Sequence, residues 1–367
     1  MPPPARAERR AGLLADGREI LYFDDPSSGS LPDPPPDRRD LPPLPPPAEL
    51  RRDQLVDEWV IVATHRQTRT FLPPTRDCPL CPSHGDSLTE VPASDYDVAV
   101  FENRFPSLPA AELPGAPAAG RCDVICYSSE HDASFARLSD ERLATIADAW
   151  AERTEALRAD PGVAYVFCFE NRGEQIGVTL HHPHGQIYAY PFIPPRAERM
   201  LASASAHLER TGSCLACDLL AQELGDGRRI VAATDTAVAY VPRAARWPYE
   251  IHVLPRRHVP DLAALSHAER DELVRLQADV LYRLDGVFDA AVPYIAGWVQ
   301  APAREQRDVL HLRLQVVSPQ RDVGKLKFLA GSEAAMGAFI NDVLPEDSAH
   351  RLRDAPGRPR PRDAGEA

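Results

Sequence analysis

Short apolar runs set off by polar residues and turn formers recur along this chain. They predict buried strands at Glu58-Trp-Val-Ile-Val-Ala, Tyr96-Asp-Val-Ala-Val-Phe, Asp123-Val-Ile-Cys-Tyr, Val163-Ala-Tyr-Val-Phe-Cys-Phe and Gly185-Gln-Ile-Tyr-Ala-Tyr-Pro. Between them, Ser139 to Ala159 reads as one helix with an apolar face. Ser139 suits its N-cap, because the following Asp140 and Glu141 put carboxylates in the first turn.

Ahead of these elements lie two proline runs, Leu31-Pro-Asp-Pro-Pro-Pro-Asp and Leu41-Pro-Pro-Leu-Pro-Pro-Pro. Proline fixes φ and removes a donor, so neither run predicts helix or central strand; both read as polyproline-II linker or coil. Arg18-Glu-Ile-Leu-Tyr-Phe is the exception, a candidate short strand. The folded body is therefore expected to begin near Glu49, with residues 1–48 as a largely extended or disordered arm.

The second half repeats the landmarks of the first in order. Cys78-Pro-Leu-Cys81 is echoed by Cys214-Leu-Ala-Cys217, and Asp123-Val-Ile-Cys-Tyr with His131 by Glu250-Ile-His-Val-Leu with His258. Phe135-Ala-Arg-Leu-Ser-Asp-Glu-Arg-Leu parallels Leu262-Ala-Ala-Leu-Ser-His-Ala-Glu-Arg, and Tyr165-Val-Phe-Cys-Phe-Glu parallels Tyr294-Ile-Ala-Gly-Trp-Val. Four landmarks in register predict two α+β units, each with strands and one long helix. The expected division is 49–205 and 206–346, with 347–367 a flexible tail.

At 367 residues the chain is long enough for two such cores, and 44% hydrophobic with 26% charged residues is a globular balance with no apolar stretch of membrane length. The net charge of -13 argues against a broad nucleic-acid face. No apolar core of a secretory signal follows Met1, so the expected address is the cytoplasm. Four of the seven cysteines form Cys-x-x-Cys pairs, which in a reducing compartment point to metal or redox work rather than a disulfide framework.

The strongest local signal is Leu180-His-His-Pro-His-Gly-Gln-Ile-Tyr. In extended chain, residues two apart share a face, so His182, His184 and Gln186 lie on one side, while Gly185 admits close backbone approach. A nucleophilic imidazole needs one tautomer, held by a partner on its second nitrogen.

His182-Pro-His184-Gly-Gln186 resembles the active-site motif of the galactose-1-phosphate uridylyltransferases, members of the histidine-triad superfamily, which end the motif in Gln where related hydrolases have a third His. The resemblance runs from about Leu50 to Glu346 and implies tandem histidine-triad-like units with mostly antiparallel sheet. It implies that His184 attacks the α-phosphorus of UDP-glucose, that a uridylyl-histidine forms while glucose 1-phosphate leaves, and that galactose 1-phosphate takes the uridylyl group. Gln186 would contact the phosphoryl oxygens.

Further positions follow from the same resemblance. Arg66 and Arg69 would grip substrate phosphates across a dimer interface, a task suited to guanidinium forks. Asn103 and Arg104 fall in the uridine-contacting stretch, with Arg104 standing where the family commonly has an acid. Asn171, Gly177, Val178 and Thr179 would receive the phosphates. Lys327, Phe328 and Glu333 match the late segment that contacts the hexose, where Ser332 replaces an aromatic residue. The second half carries no His-x-His at the equivalent position, so one catalytic centre per chain is expected, within a homodimer.

Cys78 and Cys81 offer two thiolates at zinc spacing, and the resemblance adds His131 and His182 to complete one structural zinc site. A redox dithiol is the competing reading, without the βαβ surroundings it requires. The family's second iron or zinc site, a Glu and three His, is expected to be absent, because Met200, Val299, Arg313 and Gln315 stand there. Cys214, Cys217 and His258, with His311 as fourth ligand, form either another centre or a remnant of duplication. Two other functions stay open: a related nucleotidyltransferase or phosphorylase acting on ADP-sugars or dinucleoside polyphosphates, and a zinc-stabilised nucleotide-binding module without activity.

Overall fold

The computed structural model describes residues 6–29, 31–68, 71–108 and 119–359. The first half runs β1 (Glu8–Leu13), β2 (Glu19–Asp24), β3 (Glu49–Asp53), β4 (Glu58–Val62), β5 (Val98–Glu102), β6 (Arg121–Cys126), α1 (Asp140–Ala159), β7 (Tyr165–Arg172) and β8 (His184–Tyr190). The second continues with α2 (Pro195–Thr211), α3 (Leu215–Asp226), β9 (Ile230–Ala233), β10 (Ala237–Tyr240), β11 (Tyr249–Pro255), α4 (His267–Phe288), β12 (Tyr294–Val299) and β13 (Arg313–Ser318). It closes with the short β14 (Gln320–Asp322) and β15 (Lys325–Leu326), then α5 (Gly331–Met336) and α6 (Pro345–Asp354).

Eleven strands form one antiparallel sheet in the order β1-β2-β5-β6-β8-β7-β12-β13-β11-β10-β9. The order is nearly a mirror about the β7–β12 pair, where Phe169 meets Gly297 and Asn171 meets Ile295. The two predicted units are therefore joined edge to edge through β7 and β12. Among described residues, the mixed α and β content with mostly antiparallel pairing agrees with the expected fold class.

Side chains alternate across the sheet. Ile125, Ile187 and Ala189 point into a core shared with Leu143 and Trp150 of α1 and Leu273 and Leu281 of α4. Val124 and Cys126 join a second cluster with Cys78, Leu80 and Phe101 on the opposite face. One face of the sheet is thus covered by α1 and α4, while the other carries the motif residues in the first half and α3 against Val238, Tyr240 and Leu254 in the second. Ser139 caps α1 as predicted, its hydroxyl accepting from the Arg142 amide at 3.0 Å. Ser266 caps α4 through a capping box with Glu269.

Three expectations need correction. The N-terminal arm is not a loose spacer: β1 and β2 form a hairpin, and β2 pairs with β5 from Ile20–Phe101 to Phe23–Val98. Ile20, Leu21, Tyr22 and Phe23 are buried, because such an apolar run finds its burial on the edge of β5, which would otherwise be unpaired. The proline-rich 31–47 lacks regular structure, and Arg39 ties it down through Asp37 and Glu90. The C-terminal tail is likewise ordered through α6, whose Ala349 and Leu352 are buried. The division placed after residue 205 falls inside α2.

Candidate active site and metal clusters

β8 is a central strand, between β6 and β7, and its outward residues His184, Gln186 and Tyr188 face away from the helical core. The His184 Nδ1–H donates to the His182 carbonyl at 2.7 Å. That bond selects the tautomer with a free lone pair on Nε2, and burial lowers the pKa of the ring, so the imidazole is neutral at pH 7. Gly185 is required here for packing: a Cβ would lie 2.1 Å from the Tyr127 hydroxyl and 2.8 Å from the Phe169 carbonyl.

A polar relay orients Gln186. Arg66 donates to Ser107 Oγ at 2.6 Å, Ser107 meets the Tyr188 hydroxyl at 2.9 Å, and Tyr188 donates to Gln186 Oε1 at 3.1 Å. With Oε1 taken, the Gln186 amide N–H groups are the ones left for an oxyanion. His184, Gln186, Arg66, Asn103 and Thr179 share one cavity of about 240 Å³. Ser107 and Tyr188 were missed in sequence; Tyr188 was legible at one strand period beyond Gln186, whereas Ser107 arrives from a loop and carried no signal.

The other predicted residues divide. Asn171 and Val178 line a small cleft that also holds His184, beside the left-handed Gly177 at φ +85°. Arg104 lines the main cavity, yet its guanidinium is engaged by Asp16 at 3.0 Å and by the Pro42 carbonyl. Arg66 lines the main cavity of its own chain. Arg69 lies outside the described residues. Lys327, Phe328 and Glu333 do not line the cavity: Lys327 and Glu333 form a buried pair at 2.6 Å, and Phe328 is exposed.

Immediately behind His184, the donor atoms of Cys78, Cys81, His131 and His182 lie within 4.8 Å of one another. Cys81 Sγ is 3.3 Å from His131 Nδ1 and 3.5 Å from His182 Nδ1. His182 Nε2–H donates to the Ser128 carbonyl at 2.8 Å and meets the Tyr96 hydroxyl at 2.9 Å, which leaves Nδ1 unprotonated and facing the thiols. Burial and the neighbouring Cys78 push the metal-free Cys81 thiol up to about 12, so a paired thiolate there calls for a cation. Four soft N and S donors with a fixed tautomer can hold a metal ion.

The second half repeats this set. Cys214, Cys217, His258 and His311 also place their donors within 4.8 Å of one another, so the fourth ligand left open in sequence is present. Cys217 Sγ is 3.4 Å from His311 Nδ1 and 3.7 Å from His258 Nδ1. At the family's other metal position, Arg313 instead donates to Met200 Sδ, and Gln315 donates to Glu250 at 2.6 Å.

Two family descriptions match the chain, galactose-1-phosphate uridyl transferase N-terminal domain over residues 47–194 and C-terminal domain over 200–359. The chain belongs to the galactose-1-phosphate uridyl transferase family. It is similar to the galactose-1-phosphate uridylyltransferase of Streptomyces lividans, 42% identical over 93% of this chain and 96% of that protein. A relative of the same name from Thermotoga maritima is 37% identical, covering 83% of this chain and 98% of its own. A solved uridylyltransferase superposes with a TM-score of 0.75 at 31% identity, over 83% of this chain and 97% of that one. The two matched ranges span the motif, both Cys-x-x-Cys pairs and α6. No helix among the described residues is long and apolar enough to cross a membrane.

Proposed function

We propose that this chain is a galactose-1-phosphate uridylyltransferase, moving UMP from UDP-glucose to galactose 1-phosphate by a ping-pong mechanism. The observation that carries the reading is the His184 ring itself: Nδ1 is held by the His182 carbonyl, so Nε2 is the free nucleophile, in a cavity shared with Gln186 and Arg66. Nε2 attacks the α-phosphorus, the bond from that phosphorus to the bridging oxygen breaks, and glucose 1-phosphate departs with the oxygen. Galactose 1-phosphate then attacks the uridylyl-histidine, the P–N bond breaks, and the imidazole is regenerated as UDP-galactose forms. The Gln186 N–H groups and Arg66 steady the phosphoryl oxygens through both steps.

Cys78, Cys81, His131 and His182 would hold a zinc ion, which would supply a structural clamp rather than reaction chemistry. Because His182 turns its side chain to that cluster and its carbonyl to His184, a bound metal would fix the position of the nucleophile. In this proposal the late segment presents exposed Phe328, backed by the buried Lys327–Glu333 pair, to the hexose in a second subunit's site, which makes the homodimer part of it. The cytoplasm is the proposed address.

Intact-protein mass spectrometry at neutral or alkaline pH tests the reading. UDP-glucose should add one uridylyl group, galactose 1-phosphate should remove it, and His184→Gly should show neither. Labelling by ADP-glucose in place of UDP-glucose would overturn the substrate assignment, and no label from either would overturn the transferase.

A further inference from the structure

The cross-strand register aligns the two halves residue by residue. In the first, Phe101 pairs with Val124, Val124 with Gln186 and Gln186 with Phe169. In the second, Tyr240 pairs with His252, His252 with Gln315 and Gln315 with Gly297. Gln315 is thus the counterpart of Gln186. The metal clusters give the same alignment independently: His182 precedes His184 by two residues, and His311 precedes Arg313 by two. Arg313 therefore occupies the nucleophile's place.

A cavity lies at the matching position. Leu80, Phe101, Val124 and His184 line the first cavity, and their counterparts Ala216, Tyr240, His252 and Arg313 line one of about 570 Å³ in the second half. Arg196, Arg199 and Arg246 also line it. Arg199 is paired with Glu58 at 2.9 Å, whereas no ion pair is made by Arg196, Arg246 or Arg313 among the described residues. The nearby buried carboxylate is Glu250, which already accepts from His252 at 3.1 Å, Gln315 at 2.6 Å and the Arg246 amide at 2.7 Å. Arg313 Nε is buried without a hydrogen-bond partner. Three guanidinium groups against one carboxylate leave the cavity short of negative charge.

We infer that this cavity is a second, non-transferring site for a small phosphate ester, its phosphate held by Arg313, Arg196 and Arg246 and its organic part against Tyr240 and the apolar wall. Its volume suits a nucleoside monophosphate or a hexose phosphate. A guanidinium cannot act as the nucleophile in the way that a neutral imidazole does, so the ligand is bound and released unchanged. The duplication has kept a phosphate pocket and removed its chemistry.

The test is calorimetric titration of the metal-loaded full chain with UMP and, separately, with galactose 1-phosphate. Two equivalents per chain are expected for at least one ester, and which ester it is identifies the ligand as nucleotide or sugar phosphate. Arg196→Ala, at the rim of the cavity, should weaken the second equivalent about tenfold, the loss of one charged hydrogen bond, and leave uridylyl transfer at saturating substrate unchanged. Arg313→Met should abolish that equivalent, with circular dichroism confirming the fold. One equivalent of each ester in the wild type, or two that neither variant alters, would overturn the inference. Because the readout is loss of one binding equivalent and not turnover, it stands apart from failure of the uridylyl-histidine assignment.

Discussion

Gly185→Ala isolates how tightly the fold holds its nucleophile. Gly185 sits between Ile125 of β6 and Glu170 of β7, and an added methyl would lie 2.1 Å from the Tyr127 hydroxyl, 2.9 Å from its ring carbon and 2.8 Å from the Phe169 carbonyl. Carbon and oxygen need more than 3 Å, so the Tyr127 tip must retreat by about 1 Å, in line with the crowding cost of an overpacked core. Tyr127 is fully buried, with Phe135 at 5.3 Å and Trp150 at 5.9 Å between centroids, and it has nowhere to go. The strain must then pass into the β7–β8 ladder and into His184, one residue away. Overpacking of this kind costs about 2 to 3 kcal/mol, and a nucleophile displaced by about 1 Å loses on the order of a hundredfold in rate. Urea unfolding and single-turnover uridylylation measure the two effects. Adding Tyr127→Phe removes the closest contact and should restore part of the stability, while the Phe169 carbonyl keeps the rest of the strain. Wild-type stability and rate in Gly185→Ala would refute the reasoning, since they would mean that β8 can shift freely beside its neighbours.

Three further outcomes are expected. Burial raises the Glu170 carboxyl from 4.5 to about 7, against the opposing Tyr294 hydrogen bond and the charge of Arg172. The folded state therefore binds this proton more tightly than the unfolded one, so the contribution is full below pH 4.5 and is lost as pH rises through about 7, amounting to about 3 kcal/mol. Glu170→Gln should flatten that slope in urea titrations at pH 5 and pH 8, and an unchanged slope would reject the buried-acid account. Metal analysis should find two zinc equivalents per chain, with Cys78→Ser losing one together with stability and transfer, and Cys217→Ser losing the other while the uridylyl adduct still forms; a single equivalent in the wild type would refute the second cluster. Deleting residues 1–25 should uncover the β5 edge and give an unstable, aggregating protein, because Ile20, Leu21, Tyr22 and Phe23 lose their burial; a well-behaved monodisperse product would show that the hairpin is dispensable.

Much of the site was readable without a structure because it is local. His182, His184 and Gln186 sit at strand period, Ser139 and Ser266 announce their helices, and the Cys-x-x-Cys pairs carry their chemistry in their spacing. The in-order repeat likewise determined that the chain is two copies of one plan, since duplicated landmarks are a property of sequence. What needed tertiary structure is whatever depends on a partner distant along the chain. Cys214, Cys217, His258 and His311 were candidates in sequence, but whether their donors converge or are a dispersed remnant was decided only when the ends of β11 and β13 were brought beside α3. β2 was legible as a candidate short strand, but its hairpin with β1 and its place in the sheet were not, because its stability comes from the distant edge of β5 rather than from propensity. Arg104 was turned toward Asp16 by that same arm, and Arg66 toward its own chain's cavity, because a long guanidinium settles on whichever acceptors the fold presents. Local pattern thus determined which residues carry the chemistry, while long-range packing decided their neighbours, since a side chain's partners are selected by burial and charge across the whole sheet.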